Sequence, residues 1–326
     1  MKRIVFSGAV LLIAALLHSG IVGAADFPNK NITIIVAASP GGGFDRLARA
    51  IGRSMKKKLP KGVNLIVKNI PGAGNITGTV GMYRAKPDGY TVGHLYTDGM
   101  MGMQMLRGVK RAGYDVTQFT YLARVGAEPY SVITGRNSPY KTLADMQKAK
   151  DLKWCVEGIG VSRWIPNFVT AKELGLGFDV VSGYGGTGQA LPGLIRGDCD
   201  AFLQPIDHPT TAGYLKAGEV RPIVHLGETR ALNAPDTPTA KELGTDLVLV
   251  VGRSIVAPPD LSEEKTKMLE KLFVDAMNDQ EYKDFIAKSG APLVSGDALR
   301  AQKDLDNFAR LYKKYKKPMR DALKQK

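Results

Sequence analysis

The chain has few of the residues on which most enzyme chemistry depends. Its 326 residues include four histidines and two cysteines, too few thiols for a four-thiolate zinc site. His94, His208 and His225 stand far apart, and no H-E-x-x-H motif, G-x-S-x-G elbow or phosphate-binding loop occurs. We therefore expect neither a catalytic centre nor a cofactor. His94 and His208 can either contact a ligand or serve as structural histidines.

Long apolar runs are absent beyond the N-terminus. A positively charged start precedes the uncharged apolar run Ile4–Leu17, and small residues follow that run. This order is typical of a secretory signal peptide, and the run is too short to span a bilayer comfortably as an anchor. We predict a signal peptide over residues 1–25, cleaved after Ala24 or Ala25, and therefore an exported protein.

Acidic residues are outnumbered, with 31 Asp+Glu against 45 Lys+Arg and a formal charge of +14. Such a balance often indicates nucleic-acid binding, but export argues against that partner. Part of the excess lies in Lys56–Lys58 and Lys313–Lys317. These runs are expected on solvated surfaces, where their field can still attract anionic ligands or an acidic partner weakly.

Buried strands followed by glycine loops and helices recur along the chain. Ile32–Ala38 is a continuous apolar run, Ser39–Gly43 breaks it, and apolar residues then recur at helical spacing. Such a run suits a strand buried on both faces of a parallel sheet. Further strands are predicted at Leu65–Lys68, Tyr90–Leu95, Lys153–Val156, Phe178–Gly183 and Asp200–Gln204. The repeated order predicts an α/β protein with mostly parallel sheets.

The length and the order of elements favour two lobes joined by two crossings. Segments near Val125–Pro129 and Gly252–Ala257 are predicted to cross, and three helices follow the second crossing. Those helices pack most simply against the first lobe. We therefore predict that residues 26–126 and 255–326 form lobe one and that residues 127–254 form lobe two. The ligand cleft should lie between them.

Four glycine-rich loops occupy equivalent positions, each between a predicted strand and the following helix. Ligands bind at this edge of open α/β sheets, because glycine backbones and helix N-termini present free N–H groups to anions. Each loop can alternatively be a plain tight turn. The predicted ligand-binding residues are Ser39, Gly41, Gly42, Gly43, Asp45, Gly72, Ala73, Gly74, Tyr96, Thr97, Ser162, Tyr184, Gly186, Thr187, Gly188 and Asp207.

Two of these residues are acidic and need a particular role beside an anion. Asp45 can act through water or by ordering its loop, and Asp207 can accept a hydrogen bond from a ligand hydroxyl or amine, or sit in a surface turn. Apolar side chains after the third strand offer a further wall of the cleft or, alternatively, pack in the lobe cores. They are Tyr96, Met100 and Met101, together with Trp164. Cys155 and Cys199 are either a disulfide or two buried thiols.

The glycine loops resemble those of the tripartite tricarboxylate transporter substrate receptors, also called the Bug family. The motifs are Pro40–Asp45, Asn69–Gly74, Pro87–Thr91, Tyr184–Leu191 and Ala234–Thr239. The resemblance implies a type II periplasmic-binding fold, carboxylate ligands, and handover to a permease with one large and one small subunit. The chain departs from the family pattern at Ala37–Ser39, where an aromatic and a second proline are usual, and at Glu157–Gly160.

The function expected from these observations is that of a periplasmic solute receptor, not an enzyme. It should capture a small organic carboxylate, most simply a di- or tricarboxylate, by hinge closure, and deliver it to integral membrane transporter subunits. We expect a monomer that binds no metal. Two alternatives stay open: an exported hydrolase or lyase acting on a carboxylate, and a ligand co-receptor for a sensor kinase.

Overall fold

The computed structural model describes residues 27–289 and 294–324. The predicted signal peptide, residues 1–25, lies outside the described residues. Within them, no helix has the length and apolar character needed to cross a membrane.

We assign to lobe one a six-stranded sheet of order β11-β4-β10-β3-β1-β2. The sheet contains both crossing strands in full, to Pro129 and from Val250, so we count these residues with lobe one rather than with the predicted lobe two. Its strands are β1 (Ile32–Val36), β2 (Leu65–Asn69), β3 (Thr91–Tyr96), β4 (Thr120–Pro129), β10 (Val250–Ala257) and β11 (Gly296–Asp297). Its helices are α1 (Gly43–Met55), α2 (Ile76–Tyr83), α3 (Thr97–Arg107), α4 (Val109–Ala112), α9 (Glu263–Asn278), α10 (Gln280–Ser289) and α11 (Ala298–Lys324). A short 3₁₀ turn, Ala73–Asn75, precedes α2.

Lobe two has smaller sheets. β5 (Ser131–Gly135) lies between β8 (Phe202–Gln204) and β9 (Val220–His225), and β6 (Lys153–Cys155) pairs with β7 (Asp179–Val181). An isolated bridge between Trp154 and Ala201 connects β6 with the segment that leads into β8. The helices are α5 (Leu143–Lys148), α6 (Trp164–Glu173), α7 (Thr187–Arg196) and α8 (Pro209–Lys216).

The predicted α/β fold is confirmed, but the strand pairing is mixed rather than mostly parallel. β1 pairs in parallel with β2 and β3, and β6 with β7, but β10 is antiparallel to β3 and β4. β5 is likewise antiparallel to β8 and β9. The physical reason is the double crossing. β4 leaves lobe one and β10 returns to it, so the two strands run in opposite directions when they pair.

The paired crossing strands form the wall between the two lobes. Their pairing runs from Thr120 with Ala257 out to Pro129 with Val250. Successive side chains of a strand point to opposite faces. One face of this two-stranded ribbon can therefore line a cleft between the lobes, while side chains on the other face point away from that cleft.

A continuous apolar core reaches from one lobe into the other. α6 packs against α3 and α11, and a Cβ at Gly102 of α3 would clash with Ile165 of α6. Met100, Met101 and Trp164 are buried in this core, so of the proposed apolar wall only Tyr96 faces the cleft. In lobe two, Cys155 and Cys199 form a disulfide with Cα atoms 5.6 Å apart.

Candidate functional site: an interlobe cleft

Loops from both lobes converge on one cleft of about 570 Å³. Lobe one contributes the loops that follow β1 and β2 together with the end of β3, and lobe two contributes the loops that follow β6, β7 and β8. The crossing strands contribute Glu128, Val251 and Arg253. The cleft thus lies at strand ends of both lobes, where ligands of α/β proteins usually bind.

The lobe-one loop presents the start of α1 to the cleft. Gly42 precedes the helix without any side-chain cap, and Gly41 has a φ of 82°, which favours glycine. Asp45 lies beneath this loop and accepts hydrogen bonds from the Gly41 N–H at 2.9 Å and from Arg49 Nε at 3.1 Å. Although burial opposes the effect, these hydrogen bonds lower the pKa of Asp45. The Asp45 carboxylate therefore fixes the conformation of the glycine loop through its hydrogen bond to the Gly41 N–H.

The lobe-two loop repeats the arrangement with α7. Gly186 precedes the helix with a φ of 142° and no side-chain cap, so the first N–H groups of α7 stay available. Gln189 accepts a hydrogen bond from the Gly185 N–H at 2.6 Å, and Thr187 donates to Gln204 at 3.3 Å. Two helix N-termini from different lobes thus border the same cleft, and each favours a negative charge.

A buried ion pair forms the floor of the cleft on the lobe-one side. Arg253 Nη1 lies 2.6 Å from Glu128 Oε2, and the two side chains are 5% and 4% exposed. The guanidinium also lies over the Phe44 ring, 4.7 Å from its centroid. Arg253 Nε has no hydrogen-bond partner among the described residues. One donor of the pair is therefore unused.

A second guanidinium–carboxylate pair stands on the lobe-two wall. Arg163 Nε lies 2.6 Å from Glu157 Oε1, and Arg163 Nη1 donates to Gln204 Oε1 at 2.6 Å. Arg46 extends into the cleft from α1, is exposed, and pairs with no acid among the described residues. The cleft therefore holds three guanidinium groups against two carboxylates.

The imidazole of His208 lies among these cations. Burial lowers its pKa, and the positive charges of Arg253, Arg163 and Arg46 lower it further against an opposing effect of Glu128. His208 is therefore neutral near pH 7. The other histidine considered above, His94, is buried behind the cleft, with Nδ1 3.1 Å from the Phe44 carbonyl oxygen.

A chain of hydrogen bonds runs from the cleft into the interior. The hydroxyl of Tyr96 lies 2.7 Å from that of Tyr130, which donates to Asp98 Oδ2 at 3.3 Å. The other carboxyl oxygen of Asp98 accepts from the Gly252 N–H at 3.0 Å. Burial nevertheless raises the pKa of Asp98 to about 7. A buried acid is thereby connected to both the cleft and a crossing strand.

Comparison with known proteins assigns the family. A model of the tripartite tricarboxylate transporter family receptor matches residues 47–317. The chain belongs to this receptor family. By the description of that model, the members of the family are receptors of a transporter system.

Individual known proteins are similar to this chain over most of their length. A UPF0065 protein from the gbd 5' region of Cupriavidus necator is 27% identical over 270 residues, covering 80% of this chain and 79% of that protein. MatC from Rhodopseudomonas palustris with bound malate has a TM-score of 0.72 at 23% identity, covering 88% of this chain and 100% of its own. An R. palustris protein with adipate has a TM-score of 0.76 at 21% identity, with 90% and 98% covered.

The receptor cleft brings together most of the residues predicted from the glycine loops. The predicted residues that line it are Ser39, Gly41, Gly42, Gly43, Gly72, Gly74, Tyr96, Ser162, Tyr184, Gly186, Thr187 and Gly188. Asp45, Ala73, Thr97 and Asp207 are not part of the lining. Thr97 is buried and bonds with Ser254 at 2.9 Å.

Asp207 lies on the other side of the crossing strands, along a back groove of about 980 Å³. The chain turns between Asp207 and His208, so that consecutive side chains reach opposite sides of the wall. Burial and the negative charge of Glu128 raise the pKa of Asp207 to about 6. Direct contact between Asp207 and a ligand in the cleft is therefore not supported by its position.

Sequence reasoning missed the charged lining of the receptor cleft. Glu128, Arg253 and Arg163 were not predicted as site residues, nor were Arg46 and Gln204. A signal did exist for two of them. Arg253 is the only charge in the apolar segment Val248–Ala257, and Glu128 interrupts another largely apolar strand. Charges within otherwise buried strands are rare unless they are paired.

Proposed function

We propose that this receptor captures a small organic carboxylate, a di- or tricarboxylate, between its lobes. The observation that carries the proposal is the convergence of two uncapped helix N-termini, at Gly42 and Gly186, with three guanidinium groups in one cleft. The two acids of the lining are each paired with an arginine already. The unpaired Arg46 on the lobe-one side and a helix N-terminus at each wall suit a ligand with negative charge at both ends.

The size of the cleft and the structural neighbours support this class of ligand. About 570 Å³ lies within the range of small-molecule sites. Two neighbours with the same fold were solved with malate and with adipate, both dicarboxylates of few carbons. A ligand of this size can reach the α1 and α7 N-termini together, directly or through water.

Binding by hinge closure follows from a site shared between two lobes. A ligand that contacts both walls binds the closed form better and shifts the population toward it. The paired strands β4 and β10 offer the crossing about which small backbone changes can rotate the lobes. Small-angle scattering should show a smaller radius of gyration at saturation with ligand. An unchanged radius would contradict closure.

Delivery to a tripartite tricarboxylate-type membrane transporter is the final step that we propose. The family match supports this step, and the predicted export of the chain provides access to such a transporter. Vesicles that contain the transporter subunits should take up the acid only when the loaded receptor is added. Uptake at the same rate without the receptor would contradict the proposal.

The ligand is identified by a thermal-shift screen with organic acids, followed by isothermal titration. Gly42→Leu and Gly188→Leu should each weaken binding at least tenfold. Neither position has a left-handed backbone, and the nearest atom to a Cβ at Gly42 lies 3.5 Å away, so the fold should tolerate both. Gly213→Leu in α8, which lies outside the cleft lining and also has open space, is the matched control.

Equal affinity in all three glycine variants would show that the cleft is not the site. Mass spectrometry of the recovered acid provides the second arm. An unchanged acid supports a receptor, whereas conversion of the acid would support the exported hydrolase or lyase instead.

A further inference from the structure

The last helix, α11, carries a straight line of positive side chains that the cleft does not use. Arg310, Lys313, Lys317, Arg320 and Lys324 follow one another at spacings of three and four residues, which places them on one face of the helix. All five are exposed. We call this set the basic stripe. At 1.5 Å per residue it extends over about 21 Å.

The opposite face of α11 fixes the orientation of the basic stripe. Leu305, Phe308, Tyr312, Tyr315 and Met319 are buried against the two lobes. The helix is therefore held firmly along its length by its apolar side. The stripe stands outward as a rigid feature of the surface.

None of the five stripe residues forms an ion pair with an acid among the described residues. Arg310 donates to Asn307, and Arg320 Nε donates to the Leu106 carbonyl at 3.4 Å. Lys313, Lys317 and Lys324 have no partner in the described part of the chain. Among the described residues, no ion pair therefore neutralises a member of the stripe.

The like charges of the stripe differ from the pattern on another surface helix of the same chain. On α9, Lys267 pairs with Glu263 and Lys271 pairs with Asp275, each four residues apart. Such opposite pairs stabilise a helix, whereas like charges at the same spacing destabilise it. Asp306, four residues before Arg310, and Asp321, four residues after Lys317, offset part of this repulsion, but positive charges still outnumber negative ones along the stripe.

Neighbouring elements extend the positive charge at one end of the stripe. The hydrogen bond from Arg320 to Leu106 places the end of α3 and the short helix α4 beside it, with Arg107, Lys110 and Arg111 exposed. Two apolar side chains emerge in the same region. Val109 of α4 is 46% exposed, and Ile159 is 41% exposed next to Gly160, whose added Cβ would touch Leu323 of α11.

We propose that the basic stripe docks the protein on an anionic phospholipid surface. A protein interface has an apolar centre with a polar rim, whereas this surface is a line of charge with two isolated aliphatic side chains. That composition suits a membrane surface. Lysine and arginine gain energy from anionic headgroups there, and aliphatic side chains enter the interface shallowly.

The proposal is independent of the cleft, because none of the stripe residues lines it. Docking would keep the receptor near the membrane, where a transporter encounters it at raised concentration. The helix lies against both lobes, so the docked protein keeps a defined orientation. The partner is recognised by its charge density rather than by a specific headgroup.

The test is co-sedimentation of the mature protein with vesicles that contain phosphatidylglycerol and phosphatidylethanolamine. We expect binding at low salt that falls steeply as salt rises, and none to phosphatidylcholine vesicles. Lys313→Glu/Lys317→Glu/Lys324→Glu should weaken binding at least tenfold. Lys61→Glu/Lys68→Glu/Lys86→Glu is the matched control, because these three lysines are exposed, form no ion pair, and lie outside the stripe and the cleft.

The control variant should bind vesicles nearly as well as the unmodified protein, and both variants should unfold cooperatively. Equal binding of the stripe variant, or equal binding to phosphatidylcholine, would overturn the proposal. A third outcome would also overturn the proposal. In it, the unmodified protein binds no vesicles by themselves but does bind transporter subunits held in phosphatidylcholine, and the stripe variant loses that binding. That result would identify an acidic protein surface as the partner.

Discussion

The guanidinium–carboxylate pair on the lobe-one wall is 5% and 4% exposed, whereas that on the lobe-two wall is 22% and 27% exposed. Arg253 and Glu128 lie in adjacent strands of a six-stranded sheet. Glu157 lies in a loop and Arg163 at the start of a helix, beside sheets of three and two strands. Similar chemistry is thus built into a rigid wall on one side and a partly solvated one on the other.

The difference in burial between the two pairs indicates a different role for each wall in ligand binding. A charge that is buried in a pair depends on its partner, because water cannot replace that partner fully. A partly solvated pair loses little when it separates. We infer that the lobe-one wall is prepared in advance and that the lobe-two wall adjusts its side chains when the ligand arrives.

The largest expected effect comes from removing the buried acid. Glu128→Gln should lower the free energy of unfolding by about 3–5 kcal/mol, because it leaves Arg253 buried without its counter-ion. Urea denaturation without ligand measures the loss. A carboxylate ligand should restore more stability to this variant than to the unmodified protein, since it can take the place of Glu128. A loss below about 1 kcal/mol would remove the distinction between the walls.

The disulfide tests whether the smaller sheets of lobe two need covalent support. Cys155→Ala/Cys199→Ala should destabilise the protein by about 2–4 kcal/mol, because the bond closes a long loop in the unfolded chain. The two cysteines are 44 residues apart. Thermal unfolding of the variant measures the change. Lobe one has no such bond in its described residues, so hydrogen exchange should increase in lobe two first. Equal exchange gains in both lobes would contradict this view.

A buried acid behind the lobe-one wall predicts a pH dependence. The pKa of Asp98 is about 7 in the folded protein against 3.8 for an unperturbed aspartate, so the folded state keeps a proton that the unfolded chain loses. Its contribution is complete below pH 3.8 and declines as the pH rises toward 7. Between about pH 5 and pH 8 the loss is about 2–3 kcal/mol.

Asp98→Asn should remove most of that pH dependence. Between about pH 5 and pH 8, the free energy of unfolding of the variant should therefore rise by about 2–3 kcal/mol relative to that of the unmodified protein. Exposed Asp179→Asn is the control and should leave the slope unchanged. Parallel curves for Asp98→Asn and the unmodified protein would show that Asp98 ionises normally in the folded state.

The cleft loops could be predicted from the sequence because their signals are local. Gly41 and Gly186 each stand between an apolar strand and a helix, and both have the left-handed backbone that favours glycine. The strand directions in the sheets could not be predicted in this way. A β-branched apolar run indicates a buried strand but carries no information about which neighbour it pairs with.

The charged pairs could not be predicted because they depend on distant pairing. Glu128 and Arg253 meet through the register of β4 and β10, in which Val251 lies opposite Glu128 and Gly126 opposite Arg253. The side-chain direction of Asp207 could not be predicted from the sequence either, although it depends on a single loop. Its predicted position at the sheet edge was correct in outline, but the turn before His208 directs its side chain to the back groove.

The smallest expected effect is that of Glu157→Gln on the lobe-two wall. Arg163 keeps its hydrogen bond to Gln204 in this variant, and its side chain is 22% exposed. The free energy of unfolding should therefore fall by less than about 1 kcal/mol. Ligand affinity should rise, because Arg163 loses a competing carboxylate and can turn toward the bound anion. Isothermal titration and urea denaturation of the same preparation check both statements. A loss of stability as large as that of Glu128→Gln would mean that both pairs are structural, and that neither wall adjusts to the ligand.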